Sequence, residues 1–425
     1  MAALGQRLMG VVGLAVLMGI AWALSSDRRR FPVRTVLWGL GLQLVFALAI
    51  LKTGWGRAVF AGVEQAFNRL IGFTDDGARF VFGDVWQPVA VGDLRAKEPQ
   101  ATGFVLAFKV LPVIIFFASL MGILYHLGIM QKVVAGMAWV MKRCMRVSGA
   151  EALVAATEVF VGMTEAPLAI RPYLARLTES ELLAIMTAGL ANIAGSVLAL
   201  YVSFGINAGH LLCASVMSAP ASLLIAKIMI PESREPETFG TVHIAYERTT
   251  NNVIDAAAAG ATDGLKLALN VATMLIAFVA LLSLVNYLIG GAHDLAVRWA
   301  GWQGFPSSLE QIFGWLFRPL AWVMGVPWSE SGTVGSLMGI KISLNELIAY
   351  QKLAAWKGQL SARSVTIATY ALCGFANFGS IAIQIGGVSA LVPERRHDLS
   401  RLSLRALAGG TLATFMTACF AGILV

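Results

Sequence analysis

Apolar residues run through this chain in long blocks separated by shorter polar stretches. A helix needs about 20 apolar residues to cross roughly 30 Å of hydrocarbon. The blocks Leu8–Leu24, Thr35–Leu51, Gly103–Leu127, Leu182–Phe204, Ala208–Ile230, Leu265–Ile289, Val365–Gly387 and Ala406–Val425 meet that need, so the pattern predicts about eight membrane spans. Two further apolar regions, Gly149–Tyr173 and Thr333–Leu353, are interrupted by Gly, Pro and Asn and are not expected to cross as regular helices. Gly56–Phe73 and Met130–Val147 alternate apolar and basic residues at helical spacing, which predicts helices lying flat in the interface. The block Gly10–Leu24 resembles a signal peptide in length. Arginines follow it rather than precede it and no small-residue cleavage site closes it, so it reads as the first span.

Composition agrees with this pattern. Hydrophobic residues make up 57% of the 425 positions and charged residues only 13%, against about 25% charged in soluble domains. The net charge of +8 comes from Lys and Arg at the ends of apolar blocks, a topology signal rather than a nucleic-acid face. Placing Arg28–Arg34, Lys142-Arg143 with Arg146, and Glu394–His397 on the inner side puts both termini outside. The loops Lys52–Gln100 and Gly290–Gly332 then face outward, and Pro231–Asp263 faces inward. The four cysteines lack paired spacing and read as small hydrophobes. The five histidines show no metal-ligand spacing, and there is no phosphate-binding glycine loop, so neither an intramembrane metalloprotease nor an ATP-driven pump is supported.

Three glutamates change the picture: Glu158, Glu165 and Glu346 lie inside the apolar regions. A charge at mid-membrane costs about 3 kcal/mol on insertion scales, so such residues mark contact with a polar solute, a proton or a cation. Glu165 and Glu346 also stand in corresponding places of an internal repeat. Gly189-Leu190-Ala191-Asn192 with Gly195-Ser196 echoes Gly374-Phe375-Ala376-Asn377 with Gly379-Ser380, each roughly 30 residues after its glutamate. Broken segments at matching positions of two oppositely inserted halves point to the midplane site of a transporter. Lys341, close to Glu346 in sequence, is a candidate ion-pair partner for it, while Lys109 suggests no role.

The strings Val159–Leu174, Gly335–Tyr350 and Ala368–Gly387 together resemble the concentrative nucleoside transporters. The resemblance implies an all-α polytopic fold with about eight transmembrane helices, two re-entrant helical hairpins in an inverted repeat, and interfacial helices. It further implies a homotrimer in the bacterial inner membrane. The repeats occupy 148–260 and 333–425, with 1–102, 103–147 and 261–332 as scaffold. Carried over by position, Thr164 and Glu165 match the tip of the first hairpin, and Met163 stands where the family usually has a Gln that bonds the nucleobase. Glu346 matches the ribose-binding glutamate, Asn377 and Ser380 the Asn-x-x-Ser that also holds the ribose, and Phe375 and Val197 positions near the base. The family's sodium site corresponds to Glu158, Val161, Asn192 and Ile193, with Glu158 in place of an Asn.

The implied function is import of nucleosides by alternating access. Coupling to protons, with Glu158 as carrier, is the first expectation; sodium held at Glu158, Val161, Asn192 and Ile193 is the alternative. No other cofactor, no metal centre and no nucleic-acid partner is expected. A channel needs a continuous polar path that one compact acidic site does not supply. A membrane enzyme built on Glu165 and Glu346 lacks a nucleophile or metal beside them.

Overall fold

The computed structural model describes residues 2–83, 90–91, 100–101, 108, 111–239 and 250–425. Lys109, much of the second half of the loop Lys52–Gln100 and the start of the expected span Gly103–Leu127 lie outside the described residues. Two apolar helices come first, α1 (Ala2–Ala23) and α2 (Val33–Leu51). The Thr53 hydroxyl then accepts the Gly56 amide at 2.8 Å and starts α3 (Gly54–Phe82), longer than the expected interfacial segment. A two-residue antiparallel ladder joins β1 (Ala90–Val91) to β2 (Gln100–Ala101). Helix α4 (Leu111–His126) meets α5 (Ile129–Met145) at a 77° bend, with Gly128 at φ 75° in the corner. The apolar–basic alternation of Met130–Val147 thus reports a helix that turns away from the span before it.

Two sets of elements follow in the same order. The first opens with α6 (Gly149–Thr157), started by a reciprocal cap between Ser148 and Glu151. After a turn the chain runs into a 3-10 segment, Ala166–Arg176, where Pro167 and Pro172 prevent a regular α-helix. Next come α7 (Glu179–Ala191), α8 (Gly195–Ser203) and α9 (Ala208–Met229). The second set runs α12 (Trp328–Ser343), α13 (Glu346–Trp356), α14 (Ala362–Leu372), α15 (Phe378–Leu391) and α16 (Arg396–Leu424). Each is a hairpin, a helix in two pieces, and a long helix.

The expected continuous spans Leu182–Phe204 and Val365–Gly387 are therefore interrupted, at Asn192–Ala194 and at Cys373–Asn377. The cause in the second is local: the Asn377 side chain accepts the Ser380 amide at 2.8 Å, starting a new helix instead of continuing the old one.

Between the two sets run α10 (Val253–Ala300, 48 residues) and the amphipathic α11 (Leu309–Val323). Asn252 caps the start of α10 and Gly301, at φ 61°, ends it. Helix α10 extends well beyond the expected Leu265–Ile289 on both sides and packs on α4, where Ser119 Oγ donates to Ala257 O at 2.9 Å. At the head of α11, Glu310 accepts Lys352 Nζ (3.0 Å) and Asn286 Nδ2 (2.9 Å). Burial pushes the Glu310 carboxyl up, but these bonds, its own backbone amide and the Lys352 charge together hold it below the usual carboxylate range.

The core lies in the two repeated sets: helices α7 to α9 and α16 are almost wholly buried, whereas α1, α2 and α10 keep most of their apolar surface exposed. One buried ionic clasp closes an end of the first set. Lys227 Nζ of α9 pairs with Glu151 of α6 and donates to Glu232 (3.1 Å) and to Ser180 Oγ (2.9 Å).

Candidate functional site

Asn345 caps α13 by accepting the Ile348 amide, which sets Glu346 at the first helical position, 6% exposed. Glu346 Oε1 accepts the Tyr201 hydroxyl at 3.0 Å and Oε2 accepts Asn377 Nδ2 at 2.9 Å. Because Asn377 Oδ1 takes the Ser380 amide, the orientation of that carboxamide is determined by its partners. Tyr201 in turn lies against Tyr350, ring centroids 4.3 Å apart. Helices α8, α13 and α15 thus converge on one carboxylate, which keeps acceptor capacity for further donors.

Lys341 is not the partner of Glu346. Its Nζ donates to Ala371 O and Thr414 Oγ1, both at 2.9 Å, and sits 5.9 Å from the Phe415 ring centroid. The lysine points to the end of α14, whose last carbonyls lack intrahelical partners and attract a cation.

The first hairpin tip brings Met163 to α7 and Thr164 to α15. A Cβ placed on Gly189 would lie 2.8 Å from Met163 Cβ, and one on Gly387 of α15 would run into the Thr164 side chain. Val197 is buried on α8, and the Phe375 amide donates to the Asn192 carbonyl at 3.2 Å, between the two helix breaks. Glu165 differs: it is exposed at the tip, and among the described residues no hydrogen bond joins it to Glu346 or to the partners of Glu346.

Glu158 closes α6, 1% exposed, and both carboxyl oxygens are buried with no hydrogen-bond partner among the described residues. One of them lies 2.9 Å from the Cβ position of Gly189, a turn before Asn192 and Ile193. The hairpin turn is tied to the break after α7 at two points. Gly195 N donates to Phe160 O at 3.0 Å, next to Val161, and Ser215 Oγ lies 3.2 Å from Val159 O and 3.5 Å from Asn192 Oδ1. Glu158, Val161, Asn192 and Ile193 are thereby gathered around one turn and one break.

Sequence reasoning passed over Tyr201, Ser215 and Gln384. Tyr201 sits in an apolar run that carries no local signal. Gln384 had one: it follows Asn377 by seven residues and Ser380 by four, on the same face of α15.

Residues 12–85 and 210–422 match the families described as Na+ dependent nucleoside transporter N-terminus and C-terminus, and 107–208 the family described as nucleoside recognition. The chain is 41% identical to solute carrier family 28 member 3 of Mus musculus, covering 100% of this chain and 60% of the relative. It is 41% identical to an uncharacterized transporter of Haemophilus influenzae, covering 98% of each. Sodium/nucleoside cotransporter 1 of Rattus norvegicus is 40% identical over 99% of this chain and 64% of the relative. The chain thus spans about three fifths of the mammalian relatives and nearly all of the bacterial one. Among solved structures, CNTnw in an inward-facing substrate-bound state superposes with a TM-score of 0.89 at 40% identity, covering 98% of each chain. A variant of CNTnw in an outward-facing state gives 0.90 at 40% identity, covering 99% of this chain and 97% of that one.

Proposed function

The chain belongs to the concentrative, Na+ dependent nucleoside transporter family, and from that premise we propose that it carries nucleosides inward across the bacterial inner membrane by alternating access, driven by a coupling cation. It is a transporter and not an enzyme. The observation that carries the nucleoside reading is the Glu346 carboxylate, buried and oriented by Tyr201 and Asn377, with acceptor capacity left over. Two vicinal ribose hydroxyls are donors of the right kind, and a charge-assisted pair of bonds to them is stronger than a neutral one. Asn377 and Ser380 complete the ribose end of the site. Met163, Thr164, Glu165, Val197 and Phe375 surround the remainder of the ligand, with Glu165 closing over it when the hairpin tip moves.

For the coupling ion, the proton reading rests on Glu158. A fully buried ionised carboxylate with no partner costs several kcal/mol, whereas the neutral acid does not. Binding a proton there and releasing it on the other side changes the local charge by one as the site opens. A second reading has support of its own: the matching families are described as Na+ dependent and a relative is called a sodium/nucleoside cotransporter. Sodium would then sit among Glu158, Val161, Asn192 and Ile193. The exposed apolar flanks of α1, α2 and α10 suit lipid and a homotrimer, with both termini outside.

Uptake of radiolabelled uridine and adenosine into proteoliposomes, under separately imposed proton and sodium gradients, tests both parts. Concentrative uptake of either nucleoside is expected under the proton gradient. Uptake under neither gradient overturns the transporter reading, and uptake that requires sodium and ignores pH replaces the proton with sodium.

A further inference from the structure

Met163 leaves the expected nucleobase contact without its amide, and a different amide stands beside it. Gln384 of α15 is 1% exposed and lies on the helical face that carries Asn377 and Ser380 and then continues to Gly387, against which Thr164 packs. Its Nε2 is 2.5 Å from the Cβ position of Gly189, while Met163 Cβ is 2.8 Å from that same point. The carboxamide and the methionine are therefore neighbours across a glycine. The Nε2 donates to Met186 O at 3.1 Å, and since a carbonyl only accepts, the nitrogen must face it. This leaves Oε1, which is buried and has no hydrogen-bond partner among the described residues. Buried acceptors of this kind are rarely left unpaired.

We propose that Gln384 reads the nucleobase, supplying from α15 the amide that the first hairpin lacks at Met163. The proposal rests on the nucleoside reading above. An acceptor anchored from behind selects a ligand that brings a donor: the N3–H of uracil, or the exocyclic amine of adenine or cytosine. The ribose clamp and the base reader then stand on one face of one helix, Asn377 and Ser380 at its start and Gln384 a turn further on. A nucleoside whose donor is blocked or absent leaves Oε1 buried and unsatisfied, which lowers its affinity by about 10- to 100-fold.

The test is competition against radiolabelled uridine uptake in proteoliposomes, with 3-methyluridine set against uridine and purine riboside against adenosine. The unsubstituted protein should prefer each parent nucleoside over its analogue by about 10-fold or more. Equal inhibition by parent and analogue overturns the proposal with no mutation needed. Gln384→Leu should bring both ratios close to one, and Gln384→Asn, which keeps an amide but shortens its reach, should reduce them. A merely structural role would lower the amount of inserted protein for all ligands alike and leave the ratios untouched, as would an amide that serves Glu158; unchanged ratios in Gln384→Asn therefore overturn the assignment. Failure of every nucleoside to be taken up overturns the transporter reading and this proposal together. Uptake with unchanged ratios removes Gln384 alone.

Discussion

The Phe375 amide donates to the Asn192 carbonyl at 3.2 Å, so the breaks of the two interrupted helices are stitched backbone to backbone. On one side of this stitch are Asn377 and the Glu346 carboxylate; on the other are Ser215 and the turn that holds Glu158. The proposed substrate and ion positions therefore share a hydrogen bond that no side-chain substitution removes, and movement of one break is felt at the other.

Glu346→Gln should abolish uptake while the protein still inserts. The amide keeps the shape but loses the charge that strengthens bonds from Tyr201, Asn377 and the ribose, and each bond to a charged group contributes about 1.5–3 kcal/mol. Nucleoside affinity measured by calorimetry on the purified variant should fall about ten- to a hundredfold. Removing the 2′- or 3′-hydroxyl of the ligand should weaken binding to the unsubstituted protein more than to the variant. Unaltered binding in the variant would take Glu346 out of the site.

Glu158→Gln should flatten the response of transport to pH. With no sodium present, uptake by the unsubstituted protein should rise as the external pH falls from about 8 to about 6, since the carboxyl loads its proton from that side. The amide cannot titrate. A variant that keeps the full pH response assigns the proton to another group.

Gly189→Ala pits helix propensity against packing. Propensity alone favours alanine inside a helix by about 1 kcal/mol. Here the added methyl would lie 2.5 Å from Gln384 Nε2, 2.8 Å from Met163 Cβ and 2.9 Å from Glu158 Oε1, and overpacking of this sort costs about 1–3 kcal/mol. The melting temperature should fall, and initial uptake rates should fall with it. A rise in melting temperature with normal uptake would show that the three side chains have room to withdraw.

Lys227→Met should be among the most destabilising substitutions in the chain. It strands Glu151, and truncating one partner of a buried ion pair costs about 3–5 kcal/mol. Replacing Glu151 by Met as well should restore much of the loss, because an apolar pair needs no compensation. The check is the fraction of monodisperse protein left after stepwise heating of the unsubstituted protein and the two variants in detergent. Equal survival of the single and double variants would mean that the Glu232 contact, not Glu151, governs the clasp.

What the sequence disclosed depended on how much each residue contrasts with its surroundings. Glu158 and Glu346 stand out because a carboxylate in an apolar run has few structural explanations, and Asn377 because it repeats with Asn192. The helix breaks were hidden since a run of apolar residues looks the same whether or not an asparagine caps a new helix inside it. Tyr201 was hidden for the opposite reason: a tyrosine among Leu, Ala and Val is ordinary, and only the fold brings its hydroxyl to Glu346 from 145 residues away. Lys341 misled through nearness in sequence, because a helix end at Ala371 offered it acceptors that no linear reading displays. The start of α10 was missed since Asp255 and Asp263 read as part of a loop, while the alanines between them favour helix.

The length of α10 has a mechanical consequence. At 1.5 Å per residue its 48 residues make a rod about 70 Å long, more than twice the roughly 30 Å of hydrocarbon it must traverse. Such a rod either stands proud of the membrane at both ends or leans, and the thickness of the surrounding lipid sets the balance. Since α4 lies along it, leaning carries its neighbour too. Acyl-chain length then becomes a control on the frame within which the two hairpins work, and reconstitution in short- and long-chain phosphatidylcholine should change the turnover rate while leaving nucleoside affinity in place.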